Sequence, residues 1–142
     1  FGLYDSTNGG FTDNISGLKK MTYSDTTFSS GSGSRQASIR LINSSVYDWW
    51  PTVYSNHTLY LEDCALADPR SNNNSKVNIN NSSLTMFGSN NSSTVNINNS
   101  TIDQFLILKD NSTINMTNVN FNGSITAESG TSLYKDGVKI AP

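Results

Sequence analysis

The sequence predicts an all-β protein folded as a right-handed parallel β-helix, a solenoid of about six coils of 18–20 residues each. One observation is a repeat: the eight residues from Val77 to Leu84 recur from Val95 to Ile102, with six of the eight positions identical. Another is that apolar residues two positions apart, as expected for short strands, recur along the chain. The spacing also argues against a left-handed hexapeptide helix, because Val77 would then be followed by Ser83 and Ser89.

The repeat has a common frame, with apolar residues at positions 0, 2 and 7 and Asn or Asp at position 4. The frame predicts coils that start at Met21, Ile39, Leu59, Val77, Val95 and Ile114. A partial seventh unit starts at Leu133 and places Ile140 at position 7. We therefore predict an N-terminal irregular coil or cap over 1–20, β-helix coils over 21–132 and a C-terminal partial coil or cap over 133–142.

Position 4 supplies the first corner of each coil. Asn and Asp tolerate the left-handed backbone conformation and hydrogen-bond to nearby backbone, so they turn the chain from one short strand to the next. Stacked in successive coils, these side chains are expected to form a structural ladder of hydrogen bonds with buried partners. Its members are Asp25, Asn43, Asp63, Asn81, Asn99 and Asn118.

After this corner, positions 5, 7 and 9 are expected to face inward and positions 6 and 8 outward. Position 5 is then an interior row of small residues: Thr26, Ser44, Cys64, Ser82, Ser100 and Val119. Cys64 is interpreted as a buried substitute for serine, rather than a reactive thiol, because no base or cationic cluster adjoins it in sequence. A third strand per coil is predicted at 52–54, 106–108 and 124–126 from β-propensity.

The repeat units resemble the coils of bacterial surface β-helices, namely autotransporter passenger domains and filamentous-haemagglutinin-type adhesins. The likeness rests on units such as 93–102 and 111–121 and covers roughly residues 21–140. Phage tailspikes are a second resemblance, since their coils end in a charged hairpin like the one that Tyr134–Lys139 is expected to form. Both resemblances imply an extracellular protein whose partner is a polysaccharide or a host surface.

Composition and charge exclude several other classes. Nine Lys and Arg against eleven Asp and Glu give no basic field for a nucleic acid, and no apolar run is long enough to insert into a membrane. One Cys and one His exclude a disulfide framework and a Cys/His zinc cluster, and no cofactor motif is present. Because the chain begins at Phe1, we expect a processed protein or a fragment.

The candidate binding site is the aromatic segment 47–60. Exposed aromatic rings beside polar groups are typical of sugar sites, because sugar C–H faces stack on the rings while the hydroxyls form hydrogen bonds. The alternative is structural, with Trp49 and Trp50 folded as a lid over the solenoid or packed against the loop of a neighbouring coil. The candidate ligand-binding residues are Tyr47, Asp48, Trp49, Trp50, Tyr54 and His57.

An enzymatic alternative, a polysaccharide lyase or hydrolase, would need acids that converge on one face. The only acid-rich stretch with a cation holds Glu62, Asp63, Asp68 and Arg70. The frame places Asp63 in the corner ladder, Asp68 in a loop and Glu62 in an outward row without another acid, which favours a solvated face. Ice binding by the position-1 row of Asn78, Asn96 and Asn115 is disfavoured, because Arg40 and Tyr60 share that row.

We therefore expect a non-enzymatic, extracellular or cell-surface adhesin module without a cofactor. Its loops, especially 47–60, would contact a host glycan or protein, or mediate self-association between cells. The rival is the receptor-binding or polysaccharide-depolymerising part of a phage tailspike. Oligomeric state separates the two, since the adhesins are expected to be monomeric columns and tailspikes trimers.

Overall fold

The computed structural model describes residues 10–16, 26–28, 36–43, 45–46, 51–53 and 58–141. Every regular element among these residues is a strand. The strands are β1 (Gly10–Ser16), β2 (Thr26–Phe28), β3 (Gln36–Ile42), β4 (Ser45–Val46), β5 (Pro51–Val53), β6 (Thr58–Glu62), β7 (Ala65–Leu66), β8 (Arg70–Ser71), β9 (Lys76–Asn80), β10 (Ser83–Ser89), β11 (Thr94–Asn98), β12 (Thr101–Leu108), β13 (Thr113–Thr117), β14 (Asn120–Phe121), β15 (Ser124–Ala127), β16 (Ser132–Lys135) and β17 (Val138–Ala141).

The strands form two sheets that stack coil upon coil. The first sheet has the order β1-β3-β6-β9-β11-β13-β16-β17, and all its pairs are parallel except the last, β16 with β17. The second sheet contains the remaining nine strands, also paired in parallel. This arrangement confirms the all-β parallel solenoid. It makes about four turns, against the six coils predicted, and its right hand stays a prediction.

The register of the first sheet follows the sequence frame from the second predicted unit onward. The position-0 residues Leu59, Val77, Val95, Ile114 and Leu133 are direct partners in adjacent strands, and all are buried. The position-2 side chains of the same strands, such as Ile79 and Ile97, are buried as well. Because the buried apolar residues of one coil stack on the equivalent residues of the next, each coil is stabilised mainly by the coils on either side.

The first corner has the backbone conformation that the sequence predicts. Position 4 is left-handed in every described coil, with φ of 48° at Asn43, 54° at Asp63, 49° at Asn81 and Asn99, and 52° at Asn118. The ladder differs from the expectation. Asn118 Nδ2 donates to Asn99 Oδ1 at 2.9 Å, but Asn99 Nδ2 donates to Asn80 Oδ1 at 3.3 Å, and these bonds are exposed. The expected buried partners were therefore wrong, because the left-handed corner turns these side chains toward solvent.

The position-5 row is buried as predicted at Cys64, Ser82, Ser100 and Val119. Its hydroxyls join adjacent coils: the Cys64 N–H donates to Ser82 Oγ at 3.1 Å, and the Ser82 N–H donates to Ser100 Oγ at 3.0 Å. Each hydroxyl in turn donates to a carbonyl of its own coil, at Asn80 for Ser82 and at Asn98 for Ser100. The Cys64 thiol makes the equivalent contact with the Glu62 carbonyl at 3.2 Å, which confirms its place in a row of serines.

A second corner, which the sequence frame missed, precedes the four first-sheet strands β9, β11, β13 and β16. Tight turns are closed by backbone bonds from Ser75, Ser93, Ser112 and Thr131 to the residue three positions earlier, at 3.1–3.2 Å. Both central residues are left-handed in three of them: 73–74, 91–92 and 110–111. The closing residues are all buried. The hydroxyls of Ser71, Ser89 and Ser93 lie 2.8–3.1 Å from one another inside the solenoid, so this corner has a polar interior.

The first predicted coil was placed wrongly. The first-sheet neighbour of β3 is β1, which aligns Asp13 with Ile39 and Ile15 with Leu41. Met21 and Tyr23, which the frame assigned to those positions, lie outside the described residues. Thr26 is also not a member of the position-5 row, because β2 pairs with β5 and places Thr26 opposite Pro51.

Three inward assignments, at Met86, Gln104 and Ile140, were wrong as well. At position 9 Asp68 is buried, but Met86 is half-buried and Gln104 exposed, because a register shift between Leu84 and Met86 brings Phe87 into the core instead. At the C-terminus Ile140 is exposed, since β17 turns back antiparallel instead of continuing the coil. The expected Asp-Gly turn is present, with φ of 49° at Asp136 and 82° at Gly137. Separate third strands are present as β5 and β15, although Tyr54 of the predicted 52–54 strand lies outside the described residues. Residues 106–108 form the end of the continuous strand β12 and not a strand of their own, so that prediction was wrong.

Candidate functional site

The six candidate residues of the aromatic segment lie outside the described residues, in the stretches 47–50 and 54–57. Between these stretches, β5 occupies 51–53 and pairs with β2 and β8 in the second sheet. The candidate site at Tyr47, Asp48, Trp49, Trp50, Tyr54 and His57 stays a prediction. The end of the segment is described, and there Tyr60 of β6 exposes 42% of its surface.

Tyr60 lies in a row on the outer face of the first sheet, and its partner in the preceding strand β3 is Arg40. Side chains alternate along these strands, with buried residues at positions 0 and 2 and more exposed ones between them. Strand pairing aligns the position-1 residues of five successive coils in what we call the central row: Tyr60, Asn78, Asn96, Asn115 and Tyr134. A single tyrosine therefore lies at each end of three stacked asparagines.

The three asparagines are held by bonds between their own side chains. Asn96 Nδ2 donates to Asn78 Oδ1 at 3.0 Å, and Asn115 Nδ2 donates to Asn96 Oδ1 at 3.0 Å. A carboxamide has two N–H groups and two acceptor lone pairs, so these bonds use only one of each at Asn96. The row is thus fixed in place and keeps hydrogen-bonding capacity toward solvent.

The two flanking rows are mostly neutral and polar. On one side lie Thr58, Lys76, Thr94, Thr113 and Ser132, and on the other lie Glu62, Asn80, Asn98 and Thr117. Lys76 and Glu62 are the only charged residues in these two described rows. From Tyr60 to Tyr134 the face is therefore regular and carries few charges, and Arg40 is next in register beyond Tyr60.

A shallow depression of about 160 Å³ lies beside Tyr60. It is lined by Tyr60, Glu62, Asn78, Asn80 and Asn98, with Leu61 and Ile79 contributing from the strands. An aromatic ring next to three carboxamides combines a surface for C–H stacking with donors and acceptors for hydroxyl groups. These are the chemical features expected of a sugar site.

A second, wider depression of about 470 Å³ runs along the first corner. Its lining comes from positions 4, 5 and 6 of three successive coils: Asp63, Cys64, Ala65, Asn81, Ser82, Ser83, Asn99 and Thr101. The groove is concave because position 6 carries small side chains where position 4 carries larger ones. It offers polar groups but no aromatic ring among its lining residues.

The acid-rich stretch is divided between different environments. Glu62 faces outward between Ile42 and Asn80, as predicted, and Asp63 is in the left-handed corner. Asp68 is only 5% exposed, and its Oδ2 accepts hydrogen bonds from Arg70 Nη2 at 2.6 Å and Nε at 2.9 Å. The expectation of a solvated face was therefore wrong for Asp68. Its carboxylate stabilises the connection from β7 to β8 through Arg70.

The comparisons with known proteins give no family for this chain: no family model matches it, and neither a curated protein nor a solved structure does. Within the described ranges, no helix is long and apolar enough to cross a bilayer. In the same ranges, no three His, Cys, Asp or Glu side chains are grouped so that they could hold a metal ion.

The sequence partly revealed the central row and missed its far end. The repeat frame placed the three asparagines at position 1, and the same frame applied to the partial unit at Leu133 puts Tyr134 there too. Tyr60 was placed in the same row as the asparagines, but only as an argument against ice binding, and it was considered for ligand contact only as part of the 47–60 segment. The signal that links Tyr60 to Tyr134 is that each directly follows the apolar residue at the start of its unit.

Proposed function

We propose that this protein is a non-enzymatic, extracellular β-helical adhesin module that contacts glycans on a host or neighbouring cell surface. The observation that carries the proposal is the Tyr60 depression, where an exposed aromatic ring adjoins three carboxamides on the outer face of the first sheet. The likeness of the repeats to bacterial surface β-helices supports the extracellular setting. The 47–60 segment is proposed to belong to the same contact surface, since Tyr60 is its last residue.

The physical basis of such a contact is preorganisation. Binding a flexible glycan costs conformational freedom, so a site gains affinity when its own groups are already fixed. The central row meets this condition because bonds between coils hold its asparagines before any ligand arrives. Stacking on tyrosine adds apolar contact without requiring charge on the ligand. Weak contacts of this kind produce adhesion when many copies act together.

The test compares binding of the wild-type chain and its Tyr60→Ala variant to a glycan array and to glycan-bearing cells. We expect the variant to lose most of the signal, roughly tenfold, as removal of one stacking ring implies. Phe105→Ala is the matched control, because Phe105 is a similarly exposed aromatic residue (44%) on β12 of the second sheet. Equal binding by wild type and Tyr60→Ala, or no glycan binding by the wild type, would contradict the proposal.

The predicted aromatic site is tested with a double variant that combines Trp49→Ala and Trp50→Ala. We expect this double variant to keep the cooperative unfolding of the wild type and to lose binding to the same array. If its fold and binding are both retained, these two residues are not part of the contact surface, and the alternative structural role fits them better.

A second candidate function is the receptor-binding or depolymerising part of a phage tailspike. The favouring observation is the C-terminal hairpin of β16 and β17, which ends the parallel coils with Lys135, Asp136 and Lys139 around its turn. Light scattering on a size-exclusion column separates the candidates. A monomer of 15.4 kDa is expected for the adhesin, a stable trimer for the tailspike, and a concentration-dependent dimer for self-association.

A further inference from the structure

The central row extends the proposed glycan contact beyond the Tyr60 depression. Its five members follow the solenoid axis, and strands in a sheet are about 4.8 Å apart, so the two tyrosines are separated by about 19 Å. A ligand confined to the Tyr60 depression could not reach Tyr134. Only an elongated ligand parallel to the axis contacts both rings and the asparagines between them.

The chemistry of the row restricts what this ligand can be. Each coil offers one carboxamide or phenol at about the interval of one sugar unit, and the flanking rows add Thr, Ser and Asn side chains. Arg40, Lys76 and Glu62 lie near the Tyr60 end and include both signs of charge, while Lys139 is the cross-strand partner of Tyr134 at the other end. The three asparagines between the two ends have no charge. An anionic chain would therefore find no continuous positive track to follow.

From this geometry we infer that the central row binds a linear, uncharged polysaccharide along the solenoid axis, about one sugar unit per coil. Tyr60 and Tyr134 act as stacking platforms at the two ends, and Asn78, Asn96 and Asn115 hydrogen-bond the hydroxyls between them. The inference rests on the proposed function and specifies the ligand class, its length and its direction. It predicts that affinity depends on chain length, which a single-sugar site would not show.

The experiment is calorimetric titration of the full chain with two neutral series, the β-1,4-linked glucose oligomers and the β-1,4-linked N-acetylglucosamine oligomers, from dimer to hexamer. In at least one series, the hexamer should bind at least about tenfold more tightly than the dimer, because only a chain of five or six units spans both rings. Affinity that does not change with length, or no binding in either series, would overturn the inference.

Variants at the two ends locate the ligand on the row. Tyr134→Ala should weaken hexamer binding about tenfold and leave dimer binding unchanged, whereas Tyr60→Ala should weaken both. Asn96→Ala should weaken the hexamer, and Phe105→Ala should change neither. Circular dichroism melting curves verify that each variant is folded. Equal effects of Tyr134→Ala on dimer and hexamer, or no effect on either, would contradict the axial placement.

Failure of this inference is distinguishable from failure of the proposed function. If the chain binds cells or array glycans and the Tyr60→Ala/Tyr134→Ala double variant binds equally well, the axial site is wrong while adhesion remains. If acidic glycans alone are bound, the uncharged ligand class is wrong. If the wild type binds no glycan and no cell, both proposals fall.

Discussion

The two corners of each coil achieve the same turn by different chemistry. At the first corner a single exposed Asn or Asp takes the left-handed conformation, and its side chain points toward solvent. At the second corner the left-handed residues are followed by a buried Ser or Thr, and the hydroxyls of Ser93 and Ser112 bond inside the solenoid. The first corner therefore depends on backbone preference, whereas the second depends on hydrogen bonds that water cannot replace.

We therefore expect mutations at the second corner to lower the free energy of unfolding more than mutations at the first. Ser93→Ala removes a hydroxyl that contacts both Ser71 and Ser89, all three of which are buried. Because two buried hydroxyls each lose a partner, we expect a loss of about 2 kcal/mol in the free energy of unfolding. Urea unfolding followed by circular dichroism measures it.

Ser92→Ala is the matched control for this variant. Ser92 is the neighbouring residue of the same turn and is exposed, so its replacement should cost less than about 0.5 kcal/mol. Similar losses in the free energy of unfolding for Ser92→Ala and Ser93→Ala would contradict the stabilising role of the buried hydroxyl.

The first corner should show a smaller effect that depends on backbone conformation. Asn99 has φ of 49°, a conformation that costs alanine more than asparagine or glycine. We expect Asn99→Ala to lower the free energy of unfolding by about 1 kcal/mol, partly because the bonds to Asn80 and Asn118 are lost.

Asn99→Gly separates the two causes at this corner. Glycine keeps the left-handed backbone and removes the same side-chain bonds, so its cost should be clearly smaller than that of alanine. An equal cost for alanine and glycine would assign the effect to the exposed side-chain bonds instead of the backbone.

The smallest effect is expected in the position-5 row next to the first corner. Cys64→Ser places a hydroxyl where Ser82 and Ser100 already donate to the equivalent carbonyl, so stability should change by less than about 0.5 kcal/mol. Because Cys64 is 4% exposed, its thiol should react with a disulfide reagent only as the chain unfolds. Rapid labelling of the native protein would contradict this placement.

The sequence predicted the first corner and missed the second for a physical reason. Counted forward from each apolar start, the second half of a coil varies in length, so Ser75, Ser93, Ser112 and Thr131 fall at no constant position. Counted backward from the next start, each lies two residues before it. The first sheet fixes that distance, because the tight turn leads directly into its strand.

Other errors arose where pairing between coils overrode the local pattern. The frame at Met21 had suitable apolar spacing, yet β1 aligns Asp13 and Ile15 with β3, which no local periodicity indicates. Ile140 fitted position 7 of a continuing coil, but the Asp136-Gly137 turn reverses the chain and exposes it. The sequence pointed to the 47–60 part of the proposed contact surface, whereas the proposed extension to Tyr134 depends on register across five strands.

The measurement that tests the central claim most directly is an NMR titration of the isotope-labelled chain with the neutral hexamer that binds in calorimetry. The side-chain amide signals of Asn78, Asn96 and Asn115 are expected to shift together and to saturate at one ligand concentration, with the ring signals of Tyr60 and Tyr134. Shifts confined to the second sheet, or to the Tyr60 end alone, would contradict a contact surface that extends along the solenoid.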